Sequence, residues 1–131
     1  MEFGIFNAVC LTPKFRAVHG ANAEHRRIMD ELAYIRAADK AGFKYSWASE
    51  HHFLTEYSHL SSNEAFLAFA AAQTKNIHLG SGIFNLTPPV NHPARIAERV
   101  AMLDHLSEGR FEFGTGRGSS TTCLLYTSRC V

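Results

Sequence analysis

Residues Trp47 to Phe53 read WASEHHF, a carboxylate and two imidazoles in a row just past a short apolar run. Three ionisable groups cost free energy when buried and unpaired. The cluster is therefore a centre of chemistry or a hydrogen-bonded polar strand end. Histidine titrates near neutral pH, which suits His51 or His52 to proton transfer or to orienting a ligand. A metal centre is disfavoured, because successive strand residues face opposite ways and at best Glu50 and His52 share a face. Neither HExxH nor paired-cysteine spacing accompanies them.

Two glycine-rich stretches could hold a ligand. GTGRGSS, residues 114–120, would let backbone N–H groups approach an anion, with Arg117 able to grip a phosphate bidentately. It matches neither a P-loop nor GxGxxG, and a flexible turn explains it about as well. SGIFN, residues 81–85, would bring a flat ligand against bare backbone, or is simply a bulge. The remaining histidines have plainer readings: His78 in a strand, His92 capping a helix, His105 on a solvated helix face.

These residues need a scaffold. Four β-like runs, beginning near residues 2, 45, 77 and 110, alternate with three helical patterns. The first helix is expected from about Glu24 to Ala41, with Ile28, Leu32 and Ile35 on one face and Gly42 as a left-handed cap. The second opens at Ser61-Ser62-Asn63-Glu64, where Ser61 and Glu64 have capping-box spacing. The third starts at Pro93, carries Ile96, Val100 and Leu103 as its stripe, and is capped by Gly109. Residues 77–86 read as one strand, and the stretch from Cys10 to Ala23 as a loop of about fourteen residues, long against the roughly 2–6 usual for such connections.

Alternating strands and helices imply parallel pairing, in a (β/α)₈ barrel or a doubly wound sheet. In both, functional residues gather at the C-terminal strand ends. The loop after the first strand, Glu50 to His52, residues 81–86 and residues 114–120 all fall there. Four strands cannot close a barrel, so one edge stays open, and the chain of 131 residues reads as a fragment, expected to aggregate and to be inactive alone, or as a chain that needs a partner.

Composition agrees with a soluble globular domain, at 46% hydrophobic and 19% charged residues. A net charge of +1 argues against nucleic-acid binding. No apolar run approaches the roughly 20 residues that span a bilayer, no signal peptide is evident, and three cysteines without paired spacing suggest no disulfide framework. A cytoplasmic protein is expected.

WASEHHF, followed by HLGSGIFNLTPPVNHPARIAERVAMLDHLSEGRFEFGTGRG, resembles the bacterial luciferase-like flavin monooxygenase family. The ordered set of EHH, HPxRxAE, LDxLSxGR and FxxGxGRG covers roughly residues 2–120. The resemblance implies the N-terminal half of a (β/α)₈ TIM barrel, with four parallel strands and three helices in residues 1–120. It implies reduced FMN, with a deazaflavin as the alternative cofactor, and oxidation of a small organic substrate by O₂. A flavin reductase partner and a homodimeric parent go with it; a non-catalytic flavin-binding or half-barrel protein is the alternative.

His51 matches the family's catalysis-associated histidine, and Glu50 and His52 its neighbours near the flavin. Arg117 matches an arginine that holds the FMN phosphate, with Ser119 following in the same loop. Ser81, Gly82 and Ile83 match the end of the third strand, where the family often has a non-prolyl cis peptide beside the flavin ring. Gly116 stands where luciferases carry a reactive cysteine, which points to a general monooxygenase instead of light emission. Residues 121–131, including CLLYTSRCV, match nothing in the family and read as a non-native tail.

Overall fold

The computed structural model describes residues 1–118, so Ser119 and the tail at 121–131 lie outside the described residues. Strands β1 (Gly4–Asn7), β2 (Tyr45–Ala48), β3 (His78–Ser81) and β5 (Phe111–Glu112) form one parallel sheet in the order β1-β2-β3-β5. Sequential order without reversal is the arc of a barrel, since a doubly wound sheet changes direction at a switch point. The chain is the first half of a (β/α)₈ barrel.

Side chains alternate across the sheet. Ala48 and Leu79 point into a core completed by Leu32 and Ile35 of α2 (Ala23–Lys40), Phe66 and Leu67 of α3 (Asn63–Ala71), and Ile96 and Leu103 of α4 (Pro93–Leu106). The predicted apolar stripes of the first and third helices thus face the core. The other face carries the row Phe6, Trp47 and Gly80, paired in register. A Cβ on Gly80 would stand 2.2 Å from Trp47 Cε3, so this glycine makes room for an indole.

The third strand is shorter than expected. Regular pairing in β3 ends at Ser81, and β4 (Phe84–Asn85) pairs with β6 (Thr115–Gly116) in a separate two-stranded sheet. Ser81 and Gly114 cause the break: Ser81 Oγ donates to the Gly114 carbonyl at 2.9 Å and accepts the Gly114 N–H at 3.0 Å. A Cβ at 114 would lie 2.1 Å from the Ser81 carbonyl oxygen, so the junction requires glycine.

The expected Cys10–Ala23 loop contains a fourth helix, α1 (Pro13–His19). Thr12 caps it by accepting the Phe15 N–H at 3.2 Å, and Pro13 opens it. None of its residues is buried, so it leaves no apolar periodicity to read. The capping box at Ser61 and Glu64 does not form. Ser62 is the N-cap and its side chain makes no capping bond, while Glu64 is drawn to Arg99. His92 does cap α4, accepting the Ala94 N–H at 3.2 Å. Gly42 (φ 78°) ends α2 as expected, whereas the left-handed turn after α4 is shared by Glu108 (φ 56°) and Gly109 (φ 79°).

Asp39, near the end of α2, anchors the turn into β3. Its carboxylate accepts the backbone N–H groups of Lys75 at 3.1 Å, Asn76 at 2.8 Å and Ile77 at 2.7 Å. Burial raises its pKa, but these donors and the nearby Arg110 outweigh burial and hold it below the ordinary 3.8. Asp39→Ala is expected to destabilise the fold by about 1–3 kcal/mol in urea unfolding, because three donors lose their acceptor. A depressed carboxylate pKa contributes stability that is full above 3.8 and is lost as pH falls through the folded value. Asp39→Ala should therefore flatten the acid limb of the stability profile, read by the same unfolding measurement repeated across pH.

Candidate functional site

Parallel pairing puts the C-terminal ends of β2 and β3 on one edge of the sheet. There Phe6, Ser49, Glu50, His51, Gly82, Ile83 and Gly118 line a cleft of about 320 Å³. Four of the residues singled out in the sequence therefore meet: Glu50, His51, Gly82 and Ile83.

Glu50 lies beyond the regular strand, its side chain only 18% exposed. His52 Nε2 lies 3.2 Å from Glu50 Oε1, and the backbone N–H of Asn63 donates to the same carboxylate. Glu50 thus caps the start of α3 from another element, a place where negative charge is favoured. Burial pushes the Glu50 carboxyl above the ordinary carboxylate range. The His52 hydrogen bond and charge and the Asn63 N–H offset this in part, and the Glu64 carboxylate adds to the rise. Glu64 itself is paired with Arg99 at 2.8 Å, and Arg99 also donates to Asn91 at 2.6 Å.

His51 is placed by its backbone, whose N–H donates to the Leu60 carbonyl at 2.9 Å, and by Tyr57, whose ring meets the imidazole edge-on at 5.3 Å. Its Nδ1 is buried and finds no hydrogen-bond partner among the described residues. Burial, then the neighbouring His52, holds its pKa below the ordinary 6.5, so the ring is neutral at pH 7. A neutral imidazole with an unused nitrogen in a cleft can accept or donate a proton to a bound molecule.

The loops carrying these residues are tied to the loop after β1. Leu11 N–H donates to Glu56 O at 2.8 Å, His59 N–H to Val9 O at 3.2 Å, and His59 Nδ1 sits 3.1 Å from Glu24 Oε1. Val9 holds a left-handed φ of 53°, costly for a β-branched residue. The Glu31 carboxylate accepts its N–H and pairs with Arg27 at 2.9 Å, which fixes that bend.

The other proposed residues are placed differently. His52 reaches the cleft only through Glu50. Ser81 is wholly buried and its hydroxyl is engaged by Gly114. Arg117 is exposed, and Gly118 directly after it lines the cleft. Ser119 is outside the described residues. The Gly82–Ile83 peptide is trans, since no cis bond occurs among the described residues. Gly82 N–H donates to Ala48 O at 2.5 Å and Ile83 O accepts from Asn63 at 3.0 Å, so this backbone is held from both sides. A Cβ at 82 would lie 2.7 Å from the Ala48 oxygen, so the glycine admits a neighbouring strand and not a ligand. Gly118 belongs to the glycine-rich stretch 114–120, whereas Phe6 and Ser49 are additions of the structure; the only sequence signal for Phe6 is its place near the end of the first strand.

The residues present suit a flat heteroaromatic ring. Phe6 and Ile83 offer apolar surface, and the neutral His51 imidazole lines the same cleft beside them. No group of three His, Cys, Asp or Glu able to hold a metal occurs among the described residues, and no helix among them is long and apolar enough to cross a membrane.

Histidine-ring NMR is expected to show His51 titrating below 6.5. The unfolded chain then takes up this proton first as pH falls, so the stability tied to neutral His51 is full above 6.5 and is lost as pH drops through the folded value. A His51 resonance titrating above 6.5 would contradict the buried placement.

Comparison with known proteins agrees with this geometry. A family model described as luciferase-like monooxygenase matches residues 1–123. Limonene 1,2-monooxygenase of Rhodococcus erythropolis is 39% identical over 118 residues, which cover 90% of this chain and 28% of that protein. The oxygenating constituent of 3,6-diketocamphane monooxygenase from Pseudomonas putida, a type II Baeyer-Villiger monooxygenase solved with FMN, superposes with a TM-score of 0.83 at 27% identity; the match covers 99% of this chain and 33% of that one. The coenzyme F420-dependent tetrahydromethanopterin reductase of Methanopyrus kandleri superposes at 0.63 with 30% identity, covering 93% of this chain and 28% of the other. The chain thus spans about a third of the length of the proteins it matches. It belongs to the luciferase-like monooxygenase family.

Proposed function

We propose that the full-length protein carrying this chain is an FMN-dependent monooxygenase that uses reduced flavin and O₂ to oxidise a small organic substrate. The observation that carries this reading is the cleft at the strand ends, which the neutral His51 lines together with the apolar Phe6 and Ile83. The FMN held by the diketocamphane enzyme supports the choice of cofactor.

Glu50, His51, Gly82 and Ile83 would hold the ring system, and Arg117 the phosphate. Bound reduced flavin would supply the electrons that activate O₂. The chain's own contribution follows from its geometry. Phe6 and Ile83 keep water from one side of the ring. Neutral His51 moves a proton through its imidazole, or holds one in place, as charge develops beside it. Glu50, raised in pKa by burial, keeps its negative charge directed at His52 and the α3 N-terminus and away from the ring.

A deazaflavin-dependent oxidoreductase is the second reading, favoured by the F420-dependent relative. Titrating the full-length protein with FMN and with F420 separates the two, the tighter ligand deciding. In the FMN enzyme, His51→Ala is expected to lower turnover by about 10²-fold or more, the range for a lost acid–base group. Flavin affinity should change far less. Unchanged turnover would remove His51 from the chemistry.

A further inference from the structure

We propose that Asn63 is a positioning residue for the cofactor, holding the Ile83 carbonyl turned away from the cleft and the Glu50 carboxylate against the start of α3. The inference rests on the flavin reading above and extends it to a residue outside the cleft. Asn63 is the first residue of α3 and is completely buried. Its Nδ2 donates to the Ile83 carbonyl at 3.0 Å, across twenty positions of sequence. Its backbone N–H donates to the Glu50 carboxylate. Both partners line the cleft and Asn63 does not. One residue therefore sets the distance between two walls that come from different strands.

The helix does not need this amide. A side chain that serves a helix N-terminus accepts backbone N–H groups, as Thr12 and His92 do for their own helices. The Asn63 side chain instead donates, and it donates to another element. Its Oδ1 is buried with no partner among the described residues, a standing cost of keeping an amide there. Flipping the amide would set two oxygens together, so the donor orientation follows from the contact itself. With the Ile83 carbonyl held toward α3, that oxygen is withdrawn from the surface on which a planar ring would lie.

Two variants separate this role from simple packing. Asn63→Asp keeps the shape but replaces the donor with an acceptor, and Asn63→Ala removes the group. The readouts are the FMN dissociation constant of the full-length apo-protein by fluorescence titration and the carbonyl carbon-13 shift of Ile83. At about pH 8 both variants should bind FMN about tenfold more weakly, with the Ile83 carbonyl resonance moved upfield, as expected for a lost hydrogen bond. A buried aspartate has a raised pKa, so on acidification to about pH 6 Asn63→Asp regains an O–H donor. Its affinity and carbonyl shift should then return toward wild type, while those of Asn63→Ala do not. Equal loss in both variants without recovery in Asn63→Asp would mean packing alone and overturn the inference, as would wild-type affinity in both. A wild type that binds neither FMN nor F420 would overturn the cofactor reading, and this inference with it.

Discussion

A carboxylate taken out of water must find donors, and Glu50 finds them at the start of α3 and in His52. The cleft depends on this requirement. Meeting it pulls the chain beyond β2 toward α3, which lets the strand end at Ala48 and turns His51 to face Tyr57. Asn63 then carries the same tie to Ile83, and Arg99 takes up the charge of Glu64 that would otherwise repel Glu50. Hydrophobic burial holds the half-barrel together, but this polar chain decides where the cleft lies.

Parallel register supplies the other constraint. Pairing Ala48 with Ser81 brings Gly82 directly over the Ala48 carbonyl, and pairing Trp47 with Gly80 lays the indole on bare backbone. These glycines admit close neighbours, and the neighbours are strands and an indole. The free surface at the cleft comes instead from Phe6 and Ile83, which both line it. In proteins about three times as long, further strands would face them.

The alternation of strands and helices was legible because each core-facing helix must bury a stripe, and Leu32, Ile35, Ile96 and Leu103 do so. The meeting of Glu50 and His51 with Gly82 and Ile83 followed from one rule, that parallel strands end on the same edge. What escaped the sequence was non-local or unburied. Helix α1 hides nothing in the core, so no period marks it. Ser61 and Glu64 have capping spacing, yet a carboxylate thirteen residues before Asn63 does the capping, and no local pattern encodes that. Asn63 itself was obscured by the serines beside it, which explained the helix start well enough. The expectation of one long third strand failed because Ser81 bonds to Gly114 through its side chain where a ladder bond would continue.

A flavin bound on the edge formed by the ends of β2 and β3 would shield that edge from solvent. Hydrogen exchange of the full-length protein, with and without FMN, tests it most directly. Within this chain FMN should slow exchange at residues 49–52 and 82–84, beside the cleft, and leave the outer faces of α2 and α4 unchanged. Protection on those helices with none at the strand ends would contradict it.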